Sequence, residues 1–70
     1  MSLKRRSVVI DGHRTSVSIE PEFWAALAEI AKGRGRSVNA LIAEIDRARD
    51  GNLSSAIRVF VLQAARSSRS

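Results

Sequence analysis

The stretch Arg14-Thr15-Ser16-Val17-Ser18-Ile19-Glu20-Pro21-Glu22-Phe23 decides how this chain folds. Its first six residues alternate: Arg14, Ser16 and Ser18 fall on one side of an extended backbone, and Thr15, Val17 and Ile19 on the other. Successive side chains of a strand point to opposite faces, so β-branched residues at period two predict a strand with one buried face. Glu20-Pro21-Glu22 then changes the period. Proline in the first helical turn gives up no N–H that the helix would use, and acids suit the positive helix end. Phe23, Leu27, Ile30 and Ala31 follow as an apolar stripe at helical spacing, with Trp24 beside them.

Upstream, residues 7–10 are β-prone, and Asp11-Gly12 is a two-residue turn signal. Glycine reaches positive φ without a Cβ penalty and aspartate tolerates it. Residues 1–6, with Lys4, Arg5 and Arg6, read as a basic arm, and residues 67–70 as a polar tail. A single domain over residues 7–66 lies between them.

Downstream, Lys32-Gly33-Arg34-Gly35 stops the first helix, with cations at its negative end and glycine for a left-handed cap. Ser37 is placed to cap a second helix through its hydroxyl. Val38, Leu41, Ile42 and Ile45 form that helix's stripe, with Glu44, Asp46, Arg47 and Arg49 outside. Gly51-Asn52 breaks it. Asn52 or Ser54 caps a third helix to about Arg66. Its apolar face is Leu53, Ala56, Ile57, Phe60, Val61 and Ala64, widened by Val59 and Leu62.

Composition narrows the class. Seventy residues make one small domain, which buries only roughly 60% of the surface of its unfolded chain. A core of that size alone supplies about 3–5 kcal/mol, so small scaffolds add disulfides, a metal or a second chain. With no Cys and one His, His13, the first two are excluded, and no metal or cofactor is expected. Self-association is what remains. The chain is 44% hydrophobic and 27% charged, an ordinary globular balance. Its 12 Lys and Arg against 7 Asp and Glu give net +5, which suits a polyanion, nucleic acid before a membrane surface. No apolar run approaches a bilayer-spanning length. Lys4-Arg5-Arg6 is followed only by Val8-Val9-Ile10, too short for a secretory segment. The expected compartment is bacterial cytoplasm, at the nucleoid. No catalytic constellation is present and no small-molecule substrate is inferred.

A lone strand leaves backbone groups unpaired beside its apolar face. Residues 7–10 can fold back across Asp11-Gly12 as an internal hairpin, or residues 14–19 can pair antiparallel with their own copy. The second solution makes an isologous dimer and is preferred, and the first strand could still extend the ribbon's edge.

The order strand, Pro-led helix, Gly-containing turn and second helix resembles a ribbon-helix-helix domain of the Arc/MetJ type. The match is carried by residues 14–23 and by Gly35-Arg36-Ser37-Val38-Asn39-Ala40-Leu41-Ile42. The third helix, opening Asn52-Leu53-Ser54-Ser55, resembles a subgroup with an appended C-terminal helix. The resemblance implies a mainly α fold with a short β-ribbon: an intertwined homodimer whose intermolecular two-stranded sheet enters the DNA major groove. Arg14, Ser16 and Ser18 would then face base edges. Lys4, Arg5 and Arg6, together with Arg36, Ser37, Val38 and Asn39 at the second helix's start, would meet phosphates. Val17, Ile19, Phe23, Trp24, Leu27, Ile30, Val38, Leu41, Ile42, Ile45, Ile57 and Phe60 would form the dimer core. His13 would be a turn residue without a role.

Two departures bear on function. Base readers in this family are long polar side chains, whereas two of three here are serine. A good bidentate contact contributes about 1–3 kcal/mol and only Arg14 could make one, so modest base specificity is expected. Where the family places a Glu in the second helix this chain has Leu41. No buried ion pair is expected there, and Arg36 is left for phosphate or water. The implied function is that of a bacterial transcriptional regulator, a repressor by resemblance, with several dimers possible on adjacent sites. The competing readings are a homodimeric protein-interaction module, an antitoxin-like partner, and, least well supported, a membrane-surface peptide. Glu29–Lys32, Glu44–Arg47 and Asp46–Arg49 are read as exposed pairs along the helices.

Overall fold

In the computed structural model, which describes residues 3–49 and 51–67, Asp11 and Gly12 both take positive φ, 51° and 80°. This is the requirement of the tight turn whose twist matches two antiparallel strands. The turn joins β1 (Lys4–Ile10) to β2 (His13–Ile19). Their register runs from Ile10 opposite His13, through Ser7 opposite Ser16, to Lys4 opposite Ile19. Three helices follow: α1 (Pro21–Gly33), α2 (Val38–Ala48) and α3 (Leu53–Ser67). The architecture is thus mainly α with a short β-ribbon and an appended third helix.

Within the chain β2 pairs with β1, so the internal hairpin forms, which does not exclude pairing of β2 with a copy. Two residues close it, whereas pairing with a copy must first bring two chains together. β2's outer edge stays open. β1 also begins earlier than expected. Lys4, Arg5 and Arg6 are strand residues, not an arm. Arg6 stands opposite Val17 on the inner face, and its guanidinium lies over the Trp24 ring at 4.6 Å. Long cationic side chains can cover apolar surface with their stems, which is how a charged segment enters a half-buried strand. Ser67 is the last residue of α3. Met1, Ser2, Asp50 and the rest of the expected tail, residues 68–70, lie outside the described residues.

Each helix end has a local cause. The N–H of Arg36 reaches the carbonyl of Ala31 at 2.9 Å and that of Gly35 reaches Lys32 at 3.1 Å. With Gly35 at φ 67°, this is a left-handed cap that closes α1. Ser37 Oγ accepts from the Ala40 N–H at 3.0 Å and starts α2. Asn52 Oδ1 accepts from Ser55 N–H at 3.1 Å and starts α3. Glu20, at the head of α1, makes no side-chain cap. Its carboxylate instead takes Arg58 of α3, Nε to Oε1 2.8 Å.

The core lies between the hairpin and the helices, with α2 against β1 and α3 against β2. Of the expected core, Val17, Ile19, Leu27, Leu41, Ile42, Ile45 and Ile57 are buried by elements of their own chain. Phe23, Trp24, Ile30, Val38 and Phe60 are half-buried around them. Val8, Ile10, Ala31 and Val61 complete the core. Val59 and Leu62 do not join it. They are exposed on α3, because Ile57 and Val61 already occupy the inner side of that helix.

Candidate nucleic-acid interface

The hairpin has two unlike faces. Inward it presents Val8, Ile10, Val17 and Ile19, all buried. Outward it presents Arg5, Ser7 and Val9 from β1 and Arg14, Ser16 and Ser18 from β2, in the cross-strand pairs Arg5–Ser18, Ser7–Ser16 and Val9–Arg14. Among the described residues no carboxylate stands on that outer face. Two guanidiniums and three hydroxyls occupy it, an arrangement that attracts anions and offers hydrogen-bond donors.

Arg14 and Ser18 are exposed and Ser16 is half-buried. Ser16 Oγ accepts from Arg5 Nε at 3.1 Å. Arg5, Ser7, Arg14, Thr15 and Ser16 line one shallow depression on this face. Arg5 and Ser7 join this face beyond the expected Arg14, Ser16 and Ser18, and the sequence carries a signal for them. Counting back in steps of two from Val8 puts Arg6 inward and Arg5 outward.

The expected phosphate contacts divide. Lys4 is exposed at the start of β1. Arg6 is turned inward onto Trp24 and its Nε is buried without a hydrogen-bond partner, so it is not part of a free basic arm. Arg36 is not free either, because it pairs with Glu44 on the outside of α2. The Ser37 hydroxyl is used by the cap, which leaves the N–H groups of Val38 and Asn39 at the positive end of α2. None of these α2 residues lines the hairpin depression.

Other charges hold the frame. Arg47 reaches Asp11 in the turn at 3.4 Å, and Arg49 reaches Asp46 at 2.6 Å. Arg47 and Glu44 therefore take other partners than each other. Arg34 lies over the Phe60 ring at 5.2 Å and Arg58 over Phe23 at 6.0 Å. The hydrogen bond from Arg58, with Glu20's own backbone adding to it, holds the Glu20 carboxyl below its ordinary range. His13 is exposed beside the turn. Among the described residues no group of His, Asp and Glu could hold a metal ion, and no helix is long and apolar enough to cross a membrane.

A two-stranded ribbon with one basic polar face, backed by helices on the other, is the form of a strand-presenting DNA-binding module. A family model for the ribbon-helix-helix domain matches residues 3–65, and the chain belongs to that family. Its members are, in general, DNA-binding transcription regulators or antitoxins that typically dimerise and are non-enzymatic. Neither a search of curated proteins nor one of solved structures finds a match to the chain.

Proposed function

We propose that this chain binds double-stranded DNA sequence-selectively as a homodimer and regulates transcription in a bacterium. The observation that carries this reading is the outer face of the hairpin, where Arg14, Ser16 and Ser18 stand together with no acid among them. Pairing in a two-residue hairpin alternates outward from Ile10 and His13. The backbone groups of Arg14, Ser16 and Ser18 therefore point along β2's open edge. A second copy pairing there would continue the sheet across a two-fold axis and bring two sets of these residues side by side.

The major groove is about 12 Å wide and admits the two central strands of such a sheet. Arg14 then meets a guanine edge, and Ser16 and Ser18 lie against the groove floor. Lys4 and the N–H groups of Val38 and Asn39 supply phosphate contacts.

The test is selection of bound duplexes from a random DNA pool at two salt concentrations. The log of affinity is expected to fall with log salt at about −0.9 per phosphate neutralised. Arg14→Ala should leave the fold intact and remove about 1–3 kcal/mol of base discrimination. A salt-independent affinity, or selected pools with no shared sequence, would sink the reading.

A further inference from the structure

The weakness of the proposed reading surface is reach. Serine hydroxyls are short, and β2 contributes one guanidinium per chain. β1 brings a second. Arg5 stands directly opposite Ser18 and diagonal to Ser16, within the range over which long side chains interact across strands. Its Nε donates to Ser16 Oγ at 3.1 Å. That bond uses one of five guanidinium donors, and no acceptor among the described residues takes the others. It also draws the side chain over β2, toward the middle of the sheet and away from β1's outer side. Arg5 and Arg14 thus line the same depression, with Ser7 and Ser16 between them and no carboxylate in it.

The geometry points to Arg5 as a second base-reading residue of the ribbon, contributed by β1 and positioned by Ser16. This assignment rests on the DNA-binding reading above and names what that reading lacks. Ser16 acts here as a positioning residue: its hydroxyl orients a guanidinium that can reach the two acceptors on a guanine edge. Holding Arg5 before binding reduces the rotamer freedom lost in the complex. The rival role is a plain phosphate contact, which would need charge but not this orientation.

The two roles separate by measurement on the full chain, with the duplexes selected by the unaltered protein and a scrambled duplex as probes. Arg5→Ala is expected to lower the ratio of selected to scrambled affinity by about 5- to 150-fold. Arg5→Lys should keep the salt slope and the scrambled-duplex affinity while failing to restore the ratio, since a point charge lacks the planar fork. Ser16→Ala should lower the ratio by less, and adding it to Arg5→Ala should lower it by less than Ser16→Ala does alone, because the two side chains are coupled.

An unchanged ratio with weaker binding to both duplexes and a salt slope reduced by about one would make Arg5 a phosphate contact and overturn the assignment. A double variant that loses the full sum of both single effects would overturn the positioning role of Ser16. Failure of the unaltered protein to prefer any duplex would instead bring down the DNA-binding reading, and this one with it. All three substitutions fall on the outer face, away from the core, so a circular-dichroism melt should confirm the fold in each case.

Discussion

Arg5 and Arg6 are neighbours in the chain and lie on opposite faces of the hairpin. Arg5 is in solvent with a serine hydroxyl as partner. Arg6 is against Trp24 with its Nε sealed and unpaired. Val8 and Val9 repeat the contrast, one 2% and the other 48% exposed. Identical residue types one position apart do different work because a strand changes face at every step. The inner face is governed by packing, so its arginine serves as a cover over the core. The outer face answers to no packing demand, which leaves its residues available to a ligand.

The contrast can be broken by placing one charge on each face in turn. Val17→Asp buries a carboxylate at a position 3% exposed and should abolish the cooperative thermal transition, a loss of more than about 4 kcal/mol. Ser18→Asp, one residue on, should melt within about 0.5 kcal/mol of the parent and yet lose DNA affinity. Similar melting of both variants would mean that the faces are not distinct. Ile57→Ala probes the helix that backs β2. Ile57 is fully buried, and its truncation should cost about 2–5 kcal/mol in denaturant titration.

A smaller effect is expected at Arg6. Arg6→Met keeps an apolar stem and removes the unpaired Nε, at the loss of the contact with Trp24. The net change should stay within about 1 kcal/mol of either sign. A loss well beyond that would show that Arg6 has an acceptor and does more than cover Trp24. The smallest effect belongs to the Glu20–Arg58 pair, at the junction of β2 and α1. Because the folded state holds Glu20's carboxyl below its ordinary range, the resulting stability is present above that range and is lost as pH falls through the lowered value. Glu20→Gln should flatten this acid limb in a series of melts from neutral to acid. An unaltered limb would show that the pair contributes nothing to acid sensitivity.

Much of this was legible in the sequence, and the gaps have physical causes. The alternation placed Val17 and Ile19 on the buried face of β2, although Thr15, expected there with them, is exposed near the turn. Pro21, Gly35, Ser37 and Asn52 fixed the helix ends, because each acts through its own backbone or a cap three residues away. The first half of β1 was hidden by its charges, since a run of Lys and Arg looks like a solvated arm until a ring is found to cover one of them. The partners of Arg36, Arg47 and Arg58 lie 8, 36 and 38 residues away in sequence. Local spacing favoured Arg47 with Glu44, left Arg36 for phosphate or water, and offered Arg58 no partner. Of the candidate site, Arg14, Ser16 and Ser18 could be placed by periodicity alone. Arg5 could not be joined to them until the register was known.

The two-residue turn at Asp11-Gly12 has a kinetic consequence. Strands joined so tightly zip in about 1–10 μs, long before two molecules meet at cellular dilution. The hairpin therefore closes within one chain, ahead of any encounter between copies. The rate of hairpin closure should be independent of protein concentration, and the docking of two copies should be a separate, second-order event.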